Sequence, residues 1–268
     1  MGLNKSKLSI NAHGLSDIGC VRKNNEDKVL VHAELNLFVV ADGVGGAAAG
    51  EVASELFVDT CMAEFLEYNG WNKDLRMLIS RCFHQGNHKL REHMESHHET
   101  KGMGCTAEVL TFDNHYYYLG HVGDSRTYLI RDHHIQLITK DHSFVQEQID
   151  LGLIQPEEAD SHWLKNTIYR AVGSEDDIEV DLLQGRLHDG DIFLMCSDGL
   201  SDVVALETLH ELSAAPEQLE TRVAHLIEAA KTRGGKDNIS ALLCEVSVQS
   251  FRQKIQELFD QPWGFLKR

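Results

Sequence analysis

No stretch of this 268-residue sequence approaches the roughly eighteen consecutive apolar residues that a membrane-spanning helix needs. The lysine-bearing N-terminus, Met1 to Asn11, has no apolar core of signal-peptide length either. The chain therefore reads as soluble and cytoplasmic, with no membrane partner. Paired cysteines are missing too: Cys20, Cys61, Cys82, Cys105, Cys196 and Cys244 are scattered without a C-x-x-C, and several sit in apolar runs where a thiol acts as a small hydrophobe. That usage fits a reducing compartment. The 16 histidines form no H-E-x-x-H and no Cys/His set. His93 and His97, with Glu92 and Glu95 beside them, read as a solvated helix face rather than as zinc ligands. The segment GVGGAAAG lacks both G-x-G-x-x-G spacing and a P-loop lysine, which argues against dinucleotide and P-loop chemistry.

Basic charge is the other shortage. With 25 Lys and Arg against 42 Asp and Glu, the formal charge is −17, a field that repels phosphate backbones and anionic headgroups. Nucleic acid is therefore not an expected partner. An acidic balance suits a cationic ligand and a merely solvated surface alike, so position must decide. The length supports a sizeable core, and with no internal repeat or low-complexity linker one domain is expected.

What is present alternates between strand and helix patterns. Val29–His32 and Leu37–Ala41 read as a hairpin or adjacent strands, the second ending in Asp42-Gly43 with Asp42 just past the strand. Helical spacing runs from Ala48 to Tyr68 and from Lys73 to about His98. Cys105 to Thr139 reads as a meander of four antiparallel strands cut by Asp113-Asn114, Gly123-Asp124 and Asp132-His133. Lys140 to Arg170 is a short helix and a long irregular excursion, a length that is often functional. Strand patterns at Ile178–Leu187 and Asp191–Cys196, two helices over about Leu206–Lys231 and a last strand at Ile239–Val248 follow. Phe251 to Phe259 reads as an amphipathic tail helix that packs Phe251, Ile255 and Phe259 on the protein's own core.

Three segments set an aspartate where an apolar strand meets a turn: Asp42 in FVVADGVGG, Asp198 in FLMCSDGL and Asp237 in GGKDNIS. One Asp-Gly after a strand is usually a turn. Three from distant parts of the chain are what Mg²⁺ or Mn²⁺ requires, because hard cations need several converging carboxylate or carbonyl oxygens on rigid supports. SDIGCVRKNNEDKVL adds Arg22, Glu26 and Asp27, which beside those aspartates read as a phosphate-binding arginine next to metal-supporting acids.

The motifs occur in a fixed order: Arg22, Asn25, Glu26 and Asp27 in R-x-x-N-E-D, then Asp42 to Gly46, Gly104 to Thr106, Gly123 to Arg126, Asp141 to Ser143, Arg170 to Gly173, Ser197 to Asp202 and Gly234 to Asn238. From about Ile10 to Val248 the chain resembles the metal-dependent serine/threonine protein phosphatases of the PPM (type 2C) family in their bacterial form. The resemblance implies an α/β (α+β) four-layer sandwich, two central antiparallel β-sheets flanked by pairs of α-helices. Residues 1–9 would be an N-terminal extension, 10–248 the phosphatase domain with a flap at about 140–170 beside the cleft, and 249–268 a tail helix.

The resemblance also implies Mn²⁺ or Mg²⁺, two ions bound tightly and a third more weakly. Asp42 would bridge two ions, Asp198 and Asp237 complete one, the Gly43 carbonyl serve the other, and Asp124 and Asp202 hold the third. Glu26, Asp27 and Asn238 stand where the family holds metal-bound water, and Arg22 where it grips phosphate. Arg22 and Asp42 would carry catalysis, a metal-bridging water or hydroxide attacking phosphoserine or phosphothreonine of proteins without a phosphoenzyme. The implied partners are phosphorylated proteins, themselves substrates of a serine/threonine kinase, and the chain is expected to be a monomer. Val44 stands where many eukaryotic relatives have a histidine proposed as general acid, so that acid is unassigned. A pseudophosphatase that only binds partners has no need of converging carboxylates. A metal-dependent hydrolase of small phosphoesters would use the same groups.

Overall fold

A strand that is apolar on both faces must be covered on both sides, and strands of this kind set the layering. The fold is described from a computed structural model, over residues 7–45, 49–68, 74–159 and 162–249. The first half contains β1 (Lys7–Asp17), β2 (Asp27–His32), β3 (Leu37–Val44), α1 (Ala49–Glu67), α2 (Leu75–Ser96), β4 (Gly104–Phe112), β5 (Tyr116–Val122), β6 (Arg126–Arg131) and β7 (His134–Leu137). The second half adds α3 (Phe144–Asp150), α4 (Pro156–Ala159), β8 (Asp181–Arg186), β9 (Ile192–Cys196), α5 (Asp198–Ser201), α6 (Leu206–Ser213), α7 (Leu219–Thr232) and β10 (Ile239–Gln249). The strands form two antiparallel sheets, ordered β1-β10-β9-β6-β7 and β2-β3-β4-β5-β8.

Alternation along the strands shows which layer each face meets. In β3, Leu37, Val39 and Ala41 pack with Phe57 of α1 and Phe83 of α2, whereas Phe38 and Val40 join Leu110, Phe193 and Leu242 between the sheets. β9 repeats the division: Leu194 and Cys196 pack on Val223 and Leu226 of α7, while Phe193 and Met195 face the opposite sheet. Helix, sheet, sheet and helix layers follow, the implied four-layer sandwich. Local chemistry sets the joints. Asp74 caps α2 by accepting from the Arg76 and Met77 amides, and Asp132 and His133 take φ values of 50° and 62° in the two-residue loop between β6 and β7.

The segment Cys105–Thr139 is not one meander. β4 and β5 lie in one sheet and β6 and β7 in the other. The chain crosses at Gly123, whose φ is +110° and whose Cα lies so close to the Thr106 side chain that a Cβ would meet it at 2.5 Å. The Thr106 and Ser125 hydroxyls then bond across the crossing at 2.7 Å. This crossing carries Asp124 to an end shared by both sheets. β1 was not read from the sequence, although Leu8, Ile10 and Ala12 alternate onto the inter-sheet core. It pairs with β10 from Lys7 onward, so the sheet takes in residues assigned above to the N-terminal extension. The tail helix and Gly46 lie outside the described residues. Among the described residues no helix is long and apolar enough to cross a membrane.

Candidate active site

Asp42 lies inside β3 rather than past its end, opposite Asp27 of β2 on one side and Thr106 of β4 on the other. The loop carrying Arg22 and Glu26 is tied to the loop carrying Asp237 by Asn238. Its Oδ1 accepts from the Glu26 amide at 2.8 Å, and its Nδ2 donates to the Ile18 and Asn24 carbonyls at 3.1 and 2.9 Å. Ser197 performs the same service for β9. Its hydroxyl donates to Asp27 Oδ2 at 2.7 Å and accepts from the Ser240 amide at 3.0 Å, which fixes the start of α5 and so Asp198. The Glu26 carbonyl accepts from the Gly43 amide and the Ser54 hydroxyl. A Cβ on Gly50 would meet Gly43 O at 2.7 Å and the Glu26 carboxylate at 2.9 Å, so the first turn of α1 presses on both.

These ties gather Arg22, Glu26, Asp42, Gly43, Asp124, Asp198, Asp237 and Asn238 around one cleft of about 210 Å³. Asp27 is buried behind Asp42. Asp202 lines the neighbouring hollow with Arg126, Asp141 and Lys165, its carboxylate 3.8 Å from Arg126 and 3.7 Å from Lys165.

The carboxylates crowd one another. Burial, then the charges of Asp27, Asp198, Asp124 and Asp237, push the Asp42 pKa well above the usual range. Burial, then Asp124, Asp202, Asp237 and Asp27, does the same to Asp198. Burial raises Asp27 to about 6 against the hydrogen bonds that oppose it, and burial with Asp141 and Asp202 raises Asp124 to about 6. Glu26 is raised by burial although Arg22 pulls it down. Arg22 reaches the cluster directly: its Nη2 donates to Asp237 Oδ2 at 2.6 Å, a bond that raises its pKa, while Arg126 pulls Asp124 down from the other side.

Two buried oxygens in this cluster, Asp27 Oδ1 and Asp198 Oδ1, have no hydrogen-bond partner. A buried anionic oxygen left unpaired is costly; a dication suits Asp198 Oδ1, and water held by such an ion suits Asp27 Oδ1. Among the described residues no three His, Cys, Asp or Glu side chains close as they stand into a ready ion cage. The donor set, carboxylates and a backbone carbonyl without thiolate, fits a hard cation.

Sequence reasoning missed several contributors. Thr106, Asn166 and Ile168 line the cleft. Thr106 stood within a recognised motif, whereas Asn166 and Ile168 lie in the irregular excursion, where no periodicity points to them. Arg126 forks onto Asp141 at 2.7–3.2 Å and so fixes the carboxylate that raises Asp124. His93 and His97 stack on each other at 4.1 Å on an exposed helix end, away from the cleft.

A sequence profile described as protein phosphatase 2C matches residues 21–244. The chain belongs to that family. Within it, the serine/threonine protein phosphatase PstP of Mycobacterium tuberculosis is 41% identical over 232 residues, which cover 86% of this chain and 44% of that protein. The chain thus spans less than half the length of that relative. Protein phosphatase PhpP of Streptococcus pneumoniae is 32% identical over 244 residues, 87% of this chain and 96% of that one. The catalytic domain of PstP, solved in complex with two manganese ions, superposes with a TM-score of 0.82 at 38% identity, covering 90% of this chain and 100% of that one.

Proposed function

We propose that this protein phosphatase 2C member is a metal-dependent serine/threonine protein phosphatase. The observation that carries the reading is the cluster of Asp42, Asp198, Asp124 and Asp27, whose pKa values rise together and which leaves two buried oxygens unpartnered. The relatives named as serine/threonine phosphatases, and the two manganese ions of the PstP catalytic domain, support it.

Asp42, the Gly43 carbonyl, Asp198 and Asp237 would hold two Mn²⁺ or Mg²⁺ ions, and Asp124 with Asp202 a weaker third. When bound, such ions supply Lewis acidity that brings the pKa of water toward neutrality. Glu26 and Asp27 would accept from water held by those ions, while Asn238 holds the Glu26 and Asp237 loops in register. Arg22 is exposed, and its guanidinium fork suits two oxygens of a phosphate monoester, which would orient the ester and offset charge on its equatorial oxygens. A lysine has no such fork. Val44 can neither give nor take a proton, so the leaving oxygen is protonated from elsewhere.

The substrates would be proteins phosphorylated by a serine/threonine kinase, met in the cytoplasm by a monomeric enzyme. Six free cysteines agree with that compartment. The test is hydrolysis of a phosphothreonine peptide by metal-stripped protein with and without Mn²⁺, against nucleotide substrates. Turnover that appears with Mn²⁺ and favours the peptide is expected. Faster turnover of nucleotides would make it a small-phosphoester hydrolase, and metal binding without turnover a pseudophosphatase.

A further inference from the structure

A second hollow, of about 680 Å³, opens beside the catalytic cleft and shares two of its walls, Val44 and Ile168. It runs between the last turn of α2 with the loop that follows and the segment Ile168–Ser174. Its floor is apolar, made by Met94, Met103 and Ala171. Gly104 and Gly173 also line the hollow: a Cβ on Gly104 would meet Val172 O at 2.8 Å, and Gly173 takes a φ of +93°. The two arginines of the hollow are paired, Arg91 with Asp176 and Arg170 with Glu179 and Asp181, and exposed Glu95 and Lys101, of opposite sign, also line it. Val44 and Tyr169 nevertheless stay 41% and 49% exposed along it.

We infer that this groove seats the stretch of a substrate polypeptide next to its phosphoserine or phosphothreonine, and that it selects substrates with an aliphatic or methionine side chain beside that residue. The assignment rests on the phosphatase reading above. A cleft of about 210 Å³ takes a phosphoryl group and little more, so the chain on either side must lie along a wall. The Arg22–Asp237 side presents charged loops. The Val44–Ile168 side leads without a break into an apolar hollow of the volume that ligand sites usually have. With its arginines paired and exposed Glu95 and Lys101 offsetting one another, the groove has no net charge to select a charged side chain, while burying an aliphatic one against Met94, Met103 and Ala171 is favourable.

The test pairs two substrate classes with two variants. Wild-type protein with Mn²⁺ is assayed on p-nitrophenyl phosphate, which does not reach the groove, and on phosphothreonine peptides carrying Leu or Ser at each position flanking the phosphoresidue. At one position the Leu peptide should be favoured on the order of tenfold in kcat/KM, mostly through KM. Met94→Glu puts a charge on the floor, and Glu95→Trp fills the hollow from an exposed helix position without touching the core. Both should erase the Leu preference while leaving p-nitrophenyl phosphate turnover at the wild-type level. Equal kcat/KM for Leu and Ser at every position would overturn the assignment, as would a preference that survives in Glu95→Trp. Cleavage of p-nitrophenyl phosphate with no turnover of any phosphopeptide would instead overturn the phosphoprotein reading, and the groove assignment with it.

Discussion

Two sets of acids lie in the interior of this molecule on neighbouring parts of the same sheet, and the chain treats them in opposite ways. Glu108 on β4 is fully buried, and both of its oxygens are met: His121 Nδ1 bonds to Oε1, and the Thr127 hydroxyl donates to Oε2 at 2.7 Å. The far nitrogen of His121 bonds the Lys140 carbonyl at 2.8 Å. Burial pushes the His121 pKa down, but Glu108, the Lys140 carbonyl and Asp141 together reverse it; burial also raises Glu108 against its bonds to His121 and Thr127, and the pair sits in the core as a closed unit. Two residues along β4, Thr106 faces Asp42, and there nothing closes. Asp27 and Asp198 each keep a buried oxygen without a partner, and the acids raise one another's pKa. One set completes itself from the chain. The other leaves oxygens that, under the proposed function, cations from outside would satisfy.

The sharpest way to break the contrast is Asp42→Asn. An amide cannot bridge two dications, so turnover should fall by on the order of 10³-fold or more, while the metal-free protein loses a repulsive charge and keeps or gains thermal stability. Loss of stability with turnover retained would make Asp42 a structural acid like Glu108. Arg22→Ala comes next: kcat/KM on phosphopeptide should drop roughly 10–100-fold while Mn²⁺ affinity is kept or raised, because Asp237 is freed from Arg22, and Arg22→Lys should recover little. Near-wild-type kcat/KM in Arg22→Lys would reduce the guanidinium to a point charge.

Glu108→Gln should show the converse pattern. Breaking a buried pair costs about 3–5 kcal/mol, or about 10 °C in Tm for a chain of this size, yet the folded fraction should keep kcat/KM within about threefold. A large fall in kcat with normal Tm would place Glu108 in the chemistry. The smallest expected effect is on pH. Asp27 and Asp124 titrate near 6 in the folded protein, above their unfolded value, so between pH 4 and pH 6 the folded state holds the extra protons. Stability from this source is complete below about pH 4 and is lost as pH rises through about 6. Metal-free protein should therefore melt a few degrees higher at pH 5 than at pH 7.5, and Mn²⁺ should reverse that order by binding the ionised form. Melting that is higher at pH 7.5 without metal would contradict the raised pKa values.

The contrast also marks what could be read from the sequence. Asp42, Asp198 and Asp237 were legible because an apolar run that stops at an aspartate is a local pattern, and because several such patterns stood in one order. Glu108 was not. In CTAEVLTF it looks like an outward-facing polar residue, and its partners become neighbours only through the β4–β5 register and the crossing at Gly123. The same crossing defeated the reading of one meander, since turn signals at Gly123-Asp124 fit a hairpin as well as a change of sheet. β1 escaped because its inward residues Leu8, Ile10 and Ala12 alternate with Ser9, Asn11 and His13 in a stretch flanked by lysine and glycine. The groove beside the cleft was out of reach as well, because its walls come from α2, β3 and the end of the excursion with the residues that follow it.

Calorimetric titration of Mn²⁺ into metal-stripped protein near pH 6, repeated in buffers of different ionisation enthalpy, tests the central claim most directly. If the unpartnered carboxylates await dications, about two ions should bind tightly and displace protons that the crowded aspartates still hold, so the apparent enthalpy will change with the buffer. Tight binding whose enthalpy is the same in every buffer, or no tight binding at all, would contradict it.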